Sequence, residues 1–340
     1  MKFTKAAIDA IDTSVKIRTL PQRIEGEDAC VREWTLRPAE PVRRWTVGDV
    51  TITKVSEGVL EAGLDMPSDA EGFLAHGTRQ TLLDIDWLRP DFVTEEGAVR
   101  LAFHALVIET PTCRIVVDTC VGNHKDRPTH HFWQRLDLPF LRTLAEAGFD
   151  RNAVDMVVCT HLHVDHVGWN TMMVDGRWLP TFPNARYLLG RTEFAHCERR
   201  MAEPDDGRSF HPGVFLEDSI RPILDAGLGD LVESDHRLCD EVRLIPTAGH
   251  TPGHVSVVIE SRGETALITG DTIHHPSQLR HPDWSIRADH DVAQAIETRR
   301  HLLERVADTG QLVIGTHWAG RSSGQVVREG GTFRLELPPT

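Results

Sequence analysis

No pair of cysteines in this 340-residue chain is spaced as CxxC, and the six that occur, at 30, 113, 120, 159, 197 and 239, are widely scattered. That excludes a dense disulfide framework and points to reduced thiols that pack within a cytoplasmic protein. Long apolar runs are also missing. The first seventeen residues are interrupted by Asp9 and Asp12, so a secretory signal is not expected, and no later window approaches a membrane span. Positive charge is scarce: 37 Lys and Arg against 51 Asp and Glu give a net charge of −14. With no groove-sized basic patch, nucleic acid is not an expected partner. Nor is there a G-x-S-x-G elbow or a cysteine beside a recognisable activating group, so the common nucleophiles are not set up. There is one tyrosine, Tyr187, and it falls inside an apolar strand.

What the chain does have is histidine, nineteen of them, several in short clusters. An apolar content of 40% with 26% charged residues is the profile of a globular chain, and its length allows one large domain or two ordinary ones. Residues 1–45 are polar and proline-punctuated, which reads as an N-terminal extension that wraps the domain or touches a partner subunit. From residue 46 to 340 no linker divides the chain. Alternating or apolar runs predict strands over Val50–Val55, Ala102–Glu109, Arg114–Asp118, Val154–Cys159, Ala185–Leu189, Val242–Pro246, His254–Glu260 and Thr265–Thr269, with Gln311–Gly315 as the final core strand. Helical spacing predicts Pro139–Ala147, Thr192–Met201 and Asp291–Ala307, and residues 203–219 read as a polar loop or lid. Two similar halves, each a run of strands followed by a helix, imply an α+β mixed-sheet sandwich flanked by helices.

The densest cluster follows the apolar run Met156-Val157-Val158 directly. His161 and His163 are two apart, so in extended chain their side chains point the same way and can grip one cation. Asp165 and His166 come where the chain can turn them toward a second cation. A tetrahedral site needs three or four protein ligands, so further donors must come from elsewhere. His250, Asp271 and His317 each terminate an apolar strand, and strand ends along one sheet edge converge. Gly249, Gly270 and Gly315 beside them let the backbone turn tightly. His254 is either a partner of a ligand or a packed strand residue. His124, His130 and His131 belong at the surface or a pocket rim.

These residues resemble the zinc hydrolase branch of the metallo-β-lactamase superfamily: His161-Leu162-His163-Val164-Asp165-His166 matches its HxHxDH motif, and Gly249-His250-Thr251-Pro252-Gly253-His254 is similar to its GHTPGH segment. Gly270-Asp271 and Gly315-Thr316-His317 are similar to its bridging aspartate and last histidine, in the same order. The resemblance spans roughly residues 45 to 320. It implies a four-layer αββα sandwich with the site at the strand ends, and two zinc ions, with Mn, Co or Fe as alternatives. His161, His163 and His250 would hold the first ion, Asp165, His166 and His317 the second, with Asp271 between them. Asp118 resembles the family's structural aspartate near the site. A homodimer is the expected assembly.

Two cations a few ångströms apart acidify a shared water to near neutrality, so the expected reaction is hydrolysis by a bridging hydroxide, with Asp165 orienting it or passing its proton to the leaving group. The nearest resemblance is to N-acyl homoserine lactonases, the quorum-quenching enzymes, and to organophosphate or aryl ester hydrolases of the methyl-parathion type. Those lactonases commonly carry a tyrosine three residues after the bridging aspartate, where this chain has His274, a substitute donor in catalysis or a plain loop residue. Phe132, Trp133, Trp169, Trp178, Phe182 and Trp284 lie near the motifs and would favour a small, neutral, apolar or aromatic substrate if they form the pocket, although for any single one the core is the better expectation. An iron redox enzyme on the same scaffold, a nuclease and a binding module without catalysis are the alternatives. The complete donor set disfavours the first and last of these, and the acidic charge disfavours the nuclease.

Overall fold

The computed structural model describes residues 34–62, 74–128, 131–204 and 211–337. Residues 1–33, the bulk of the expected N-terminal extension, lie outside the described residues. So do His130 and the side chain of His131. The strands and helices run, in chain order, β1 (Trp34–Arg37), β2 (Arg43–Val47), β3 (Val50–Ala62), α1 (Arg79–Leu83), β4 (Val99–Glu109), β5 (Arg114–Val117), α2 (Phe140–Glu146) and β6 (Met156–Val158). There follow β7 (Thr171–Val174), β8 (Arg177–Pro180), β9 (Arg186–Gly190), α3 (Arg191–Arg200), α4 (Arg221–Asp225) and β10 (Gly229–Val232). The rest is β11 (Val242–Pro246), β12 (Val255–Ser261), β13 (Glu264–Ile268), α5 (Ser277–Arg280), α6 (Val292–Val306), β14 (Leu312–Ile314), β15 (Ser323–Glu329) and β16 (Thr332–Glu336).

Two large sheets result. One has the order β1-β3-β4-β5-β6-β9-β10 with β2 also on β3, and the other runs β11 to β16 in sequence. β1 and the start of β2 precede residue 46 and pair antiparallel with β3. The period-two alternation of each strand assigns its faces. In β4, Leu106 and Ile108 point inward with Ile52, Val117 and Val158 and meet Leu244, Val257, Ile268 and Ile314 of the second sheet. The opposite face of β4, Ala105 and Val107, packs with Val116, Val157 and Tyr187 under Phe140 and Leu144 of α2. The outer face of the second sheet, Val258, Leu267 and Val313, packs under Leu302, Leu303 and Val306 of α6. Helix, sheet, sheet and helix therefore stack as the expected αββα sandwich.

α6 begins where Asp291 caps the Gln294 N–H and ends before the left-handed Gly310 (φ +76°), as its pattern predicts. Two expectations need correction. Gln311–Gly315 is not the final strand: β15 and β16 follow, joined by Gly330-Gly331 and built on alternating residues (Val326, Phe333, Leu335) too polar in between to read as core. Residues 211–219 are not a polar loop. A π-helical turn, Leu216–Ile220, leads into α4, and Phe215, Leu216 and Ile220 are buried with Leu162 and Val121. Its sparse apolar residues are spaced to face one side, which an average over seventeen residues conceals; residues 205–210 lie outside the described residues. Trp133, Trp169, Phe182 and Trp284 are all buried, with Trp169 stacked on Phe140, so these four are core, the better expectation for each of them. No helix among the described residues is long and apolar enough to cross a membrane.

Candidate metal centre

β6 lies between β5 and β9, parallel to both, so its C-terminal end opens at the centre of the sheet edge. The chain leaving it cannot continue as a strand, because Asp118, at the end of β5 with φ +56°, captures it. One Asp118 oxygen accepts from the Thr160 N–H (2.8 Å), the other from the Thr160 hydroxyl (2.9 Å) and from Nδ1 of His166 (2.9 Å). The Thr119 N–H donates to the His166 carbonyl at 2.7 Å, closing residues 160–166 into a fixed loop. Glu193 of α3, itself buried, accepts from the N–H groups of Leu162 and Gly253 and so ties this loop to the one that carries His250.

The second sheet delivers its donors one strand end at a time. His250 follows β11, preceded by Gly249 at φ +138°; a Cβ there would run into the backbone of Ala295 in α6, so only glycine lets the loop approach that helix. Asp271 follows β13, behind Gly270 at φ +54°. His317 follows β14. Gly315, by contrast, has no left-handed backbone; it is small because the Trp318 ring covers it.

These elements bring all seven predicted donors together, buried, in two groups. His161, His163, His250 and Asp271 form one set and Asp165, His166 and His317 the other, with donor atoms in each set within 4.8 Å of one another. Asp271 Oδ2 lies 3.6 Å from His161 Nε2, 3.4 Å from His250 Nε2 and 3.2 Å from His166 Nε2, and Oδ1 lies 3.2 Å from His317 Nε2, so the carboxylate touches both groups. His274 belongs here too. Its Nε2 is 3.0 Å from Asp271 Oδ2, and its ring stacks on His317 and meets His250 edge-on. Of the remaining histidines, His124 is exposed. His254 is no mere packing residue: its Nε2 accepts the Asp271 N–H at 2.8 Å, while Nδ1 faces Thr247.

The outer hydrogen bonds decide what the rings present inward. Nδ1 of His166 faces a carboxylate, Nδ1 of His317 the Ala102 carbonyl (3.1 Å), and Nδ1 of His250 the carboxylate of Asp289 (2.9 Å). Those acceptors require N–H on Nδ1, which leaves the Nε2 lone pairs of neutral rings pointing into the site. His166 Nε2 and His317 Nε2 then face each other at 3.2 Å, and His250 Nε2 faces His163 Nδ1 at 2.9 Å. His161 Nε2 has no hydrogen-bond partner among the described residues. Lone pairs that close repel unless a proton or a metal cation lies between them.

Electrostatics point the same way. Burial and crowding by other imidazoles hold His161, His163 and His250 well below the ordinary histidine value. His166 and His317, although burial opposes it, are raised by the carboxylates of Asp271 and Asp165, with Asp118 adding to the effect on His166. Asp271, against its own burial, is held well below the usual carboxylate range by His166, His317 and His274. Protons therefore collect where cations would sit, and the two compete for one position. The donor set of imidazoles and carboxylates fits zinc or another first-row divalent ion.

Sequence patterns gave no sign of three supporting groups. Asp289 orients His250 and is itself reached by Arg299 Nη2 at 3.9 Å, a fully buried arginine of α6 that also donates to the Thr272 and Trp284 carbonyls. Glu193 lies in the predicted 192–201 helix and is buried there. Glu57 accepts from Val121 N, Gly122 N and the Trp169 indole, and burial pushes its pKa up to about 7.

Residues 103–317 match the family model of the metallo-beta-lactamase superfamily. The chain belongs to that superfamily. Among curated relatives of this superfamily member, an N-acyl homoserine lactonase from Bacillus sp is 27% identical over 129 residues, which is 38% of this chain and 42% of the relative. A probable metallo-hydrolase of Mycobacterium bovis is 24% identical over 205 residues, 53% of this chain and 60% of the relative. The match thus spans less than half the length of the lactonase. Two solved structures share the fold: the hydrolase AbOPH, with a TM-score of 0.72 at 23% identity over 89% of this chain and 98% of that one, and AidC, described as a dizinc quorum-quenching lactonase, at 0.69 and 20% over 88% and 98%.

Proposed function

We propose that this superfamily member is a metal-dependent hydrolase with a dinuclear centre, opening lactones or cleaving related esters, N-acyl homoserine lactones among them. The observation that carries the reading is the inward-facing set of lone pairs and carboxylates on His161, His163, Asp165, His166, His250, Asp271 and His317, shared between two groups by Asp271. We assign the ions as zinc, with His161, His163 and His250 holding one and Asp165, His166 and His317 the other. When bound, such a pair supplies an acidified water and a positive field for the oxyanion that develops at the carbonyl. The rest of the work falls to the chain. Asp118, Asp289 and His254 fix the tautomers and angles of the donors before substrate arrives. Asp165, with Oδ1 3.8 Å from His166 Nε2 and Oδ2 3.6 Å from His317 Nε2, is placed to accept a proton and return it to the leaving alkoxide. His274, against Asp271, is the donor we place on the substrate oxygen where related lactonases use a phenol.

The lactonase activity of the relatives supports the lactone class, and the burial of the donor set supports a small neutral substrate. The deciding experiment is a panel of acyl homoserine lactones, aryl esters and a nitrophenyl phosphotriester on metal-reconstituted protein, with Asp271→Ala as control. Lactone turnover that vanishes in a folded Asp271→Ala protein supports the assignment; preference for the phosphotriester moves it to the organophosphate class. One iron per chain with oxygen consumption would replace it by a redox enzyme.

A further inference from the structure

One face of α3 is the reverse of what an amphipathic helix requires. At the spacing i, i+3, i+4, i+7 that normally carries apolar residues, it has Glu193, His196, Cys197 and Arg200, and that face is turned inward, with Glu193 and Cys197 buried. Together with Phe215 and the exposed His290, it lines a narrow cleft that also takes in His163 and His250 of the candidate metal centre. Polar side chains on a helix's inward face are costly unless they have partners or face a ligand. Glu193 has partners in the two ligand loops. Arg200 is engaged by Glu203 at 3.3 Å. The half-buried His196 has instead the ring of His290, edge to face, with centroids 4.7 Å apart. His290 is carried there by the loop that bears Asp289, its N–H bonded to the His250 carbonyl at 2.9 Å, so its position is coupled to that of a metal donor.

We infer that His196 and His290 form a specificity clamp that reads an uncharged hydrogen-bonding group of the substrate, one with both a donor and an acceptor as in a secondary amide, set apart from the bond that is cut. This rests on the hydrolase reading above and refines its substrate class. An imidazole nitrogen that carries hydrogen donates and one that does not accepts, so the His196–His290 pair has the means to give an amide carbonyl a donor and an amide N–H an acceptor. Burial, His290 and the neighbouring Arg199 and Arg200 push the pKa of His196 down to about 4, which keeps it neutral at ordinary pH. A substrate with only an alkyl substituent would leave these groups unpaired, and a binding site made to hydrogen-bond discriminates against such an analogue.

The test compares N-hexanoyl homoserine lactone with an alkyl γ-lactone of equal length lacking the amide, and with one whose substituent ends in a carboxylate. In His196→Ala, His290→Ala and the double variant, the kcat/KM ratio of amide to alkyl lactone is expected to fall tenfold or more, carried by KM, with partial recovery in His196→Asn. Both sites lie at or near the surface, and metal content and thermal unfolding report folding independently. A ratio within twofold of the parent protein overturns the clamp, as does a selective loss on the carboxylate-bearing lactone, which would assign the cleft to an anion read by Arg200. Calorimetric binding of N-hexanoyl-L-homoserine against the amide-free hydroxy acid gives the same ratio without turnover. If the parent protein hydrolyses no lactone, the hydrolase reading fails while that binding ratio still decides the clamp.

Discussion

The two halves of the sandwich supply the candidate metal centre in different ways. The first gives four donors from six consecutive residues, His161 to His166, on a single loop after β6. The second gives three, His250, Asp271 and His317, each alone at the end of its own strand. The compact group is organised chiefly by Asp118, which takes three hydrogen bonds from Thr160 and His166, with Thr119 and Glu193 tying the same loop. Each dispersed donor has its own support: Asp289 for His250, His254 for the backbone of Asp271, the Ala102 carbonyl for His317. A local loop can be organised by one buried carboxylate, whereas donors far apart in sequence are positioned by the packing of whole strands.

The comparison predicts an order of effects. Asp271→Ala removes the one carboxylate that touches both groups. Loss of several kcal/mol of transition-state stabilisation, on the order of a thousandfold in kcat/KM, is expected, with bound metal falling below two ions per chain by elemental analysis. Two retained ions and unchanged turnover would mean the halves do not share a centre.

Chelation should abolish activity and lower the unfolding temperature, through loss of about 4 kcal/mol of binding stabilisation if the free ion stood near a thousand times its Kd. Hydrogen exchange should then separate the halves: amides of residues 160–166 lose protection on metal removal, while β11, β13 and β14 keep theirs. Equal loosening of both would erase the distinction drawn here.

Asp118→Asn and Asp289→Asn test the supports themselves. Each is expected to weaken metal binding by roughly 10- to 100-fold in competition titrations, with Asp118→Asn the more damaging because it loosens both Thr160 and His166. The reverse order would move the critical support to the second half.

The smallest effect concerns how the first half fixes its outer loops. Lys125 is fully buried, donates to the Thr171 hydroxyl and the Asp218 carbonyl, lies over the Trp178 ring, and is pushed down to about 7 by burial despite Asp218. A lysine charged less readily in the folded protein than in the unfolded one, where 10.5 applies, binds fewer protons when folded over that interval. Its contribution therefore makes stability rise as pH climbs from about 7 toward 10.5, and below 7 the full cost of burying the charge is present. Denaturant titrations of Lys125→Met should show that slope flattened; an unchanged slope would assign it to other groups.

The legibility of the fold follows from where polarity and burial agree. β4, β11, β13 and α6 carry clean periodic patterns, and their bounds fall within a few residues of expectation. The buried segment around Phe215 and the strands β15 and β16 were hidden because polar residues interrupt them, and their burial comes from what packs over them. The same holds in the site. His161 to His166 stand out by density alone, whereas Asp289, Glu193 and Glu57 look like ordinary surface acids in the sequence and become buried acceptors only when distant backbone N–H and ring N–H groups converge on them.

By itself, then, the sequence determined which atoms can bind a cation and which strand end each one occupies, since spacing along an extended chain fixes side-chain direction. It also offered no G-x-S-x-G elbow and no cysteine beside an activating group. Only the tertiary structure decided that seven donors meet, which nitrogen each ring turns inward, and that a helix face of Glu193, His196 and Arg200 borders the centre. Those outcomes rest on hydrogen bonds and packing between residues up to about two hundred positions apart, such as Ala102 with His317, and no local pattern encodes a contact made across two sheets.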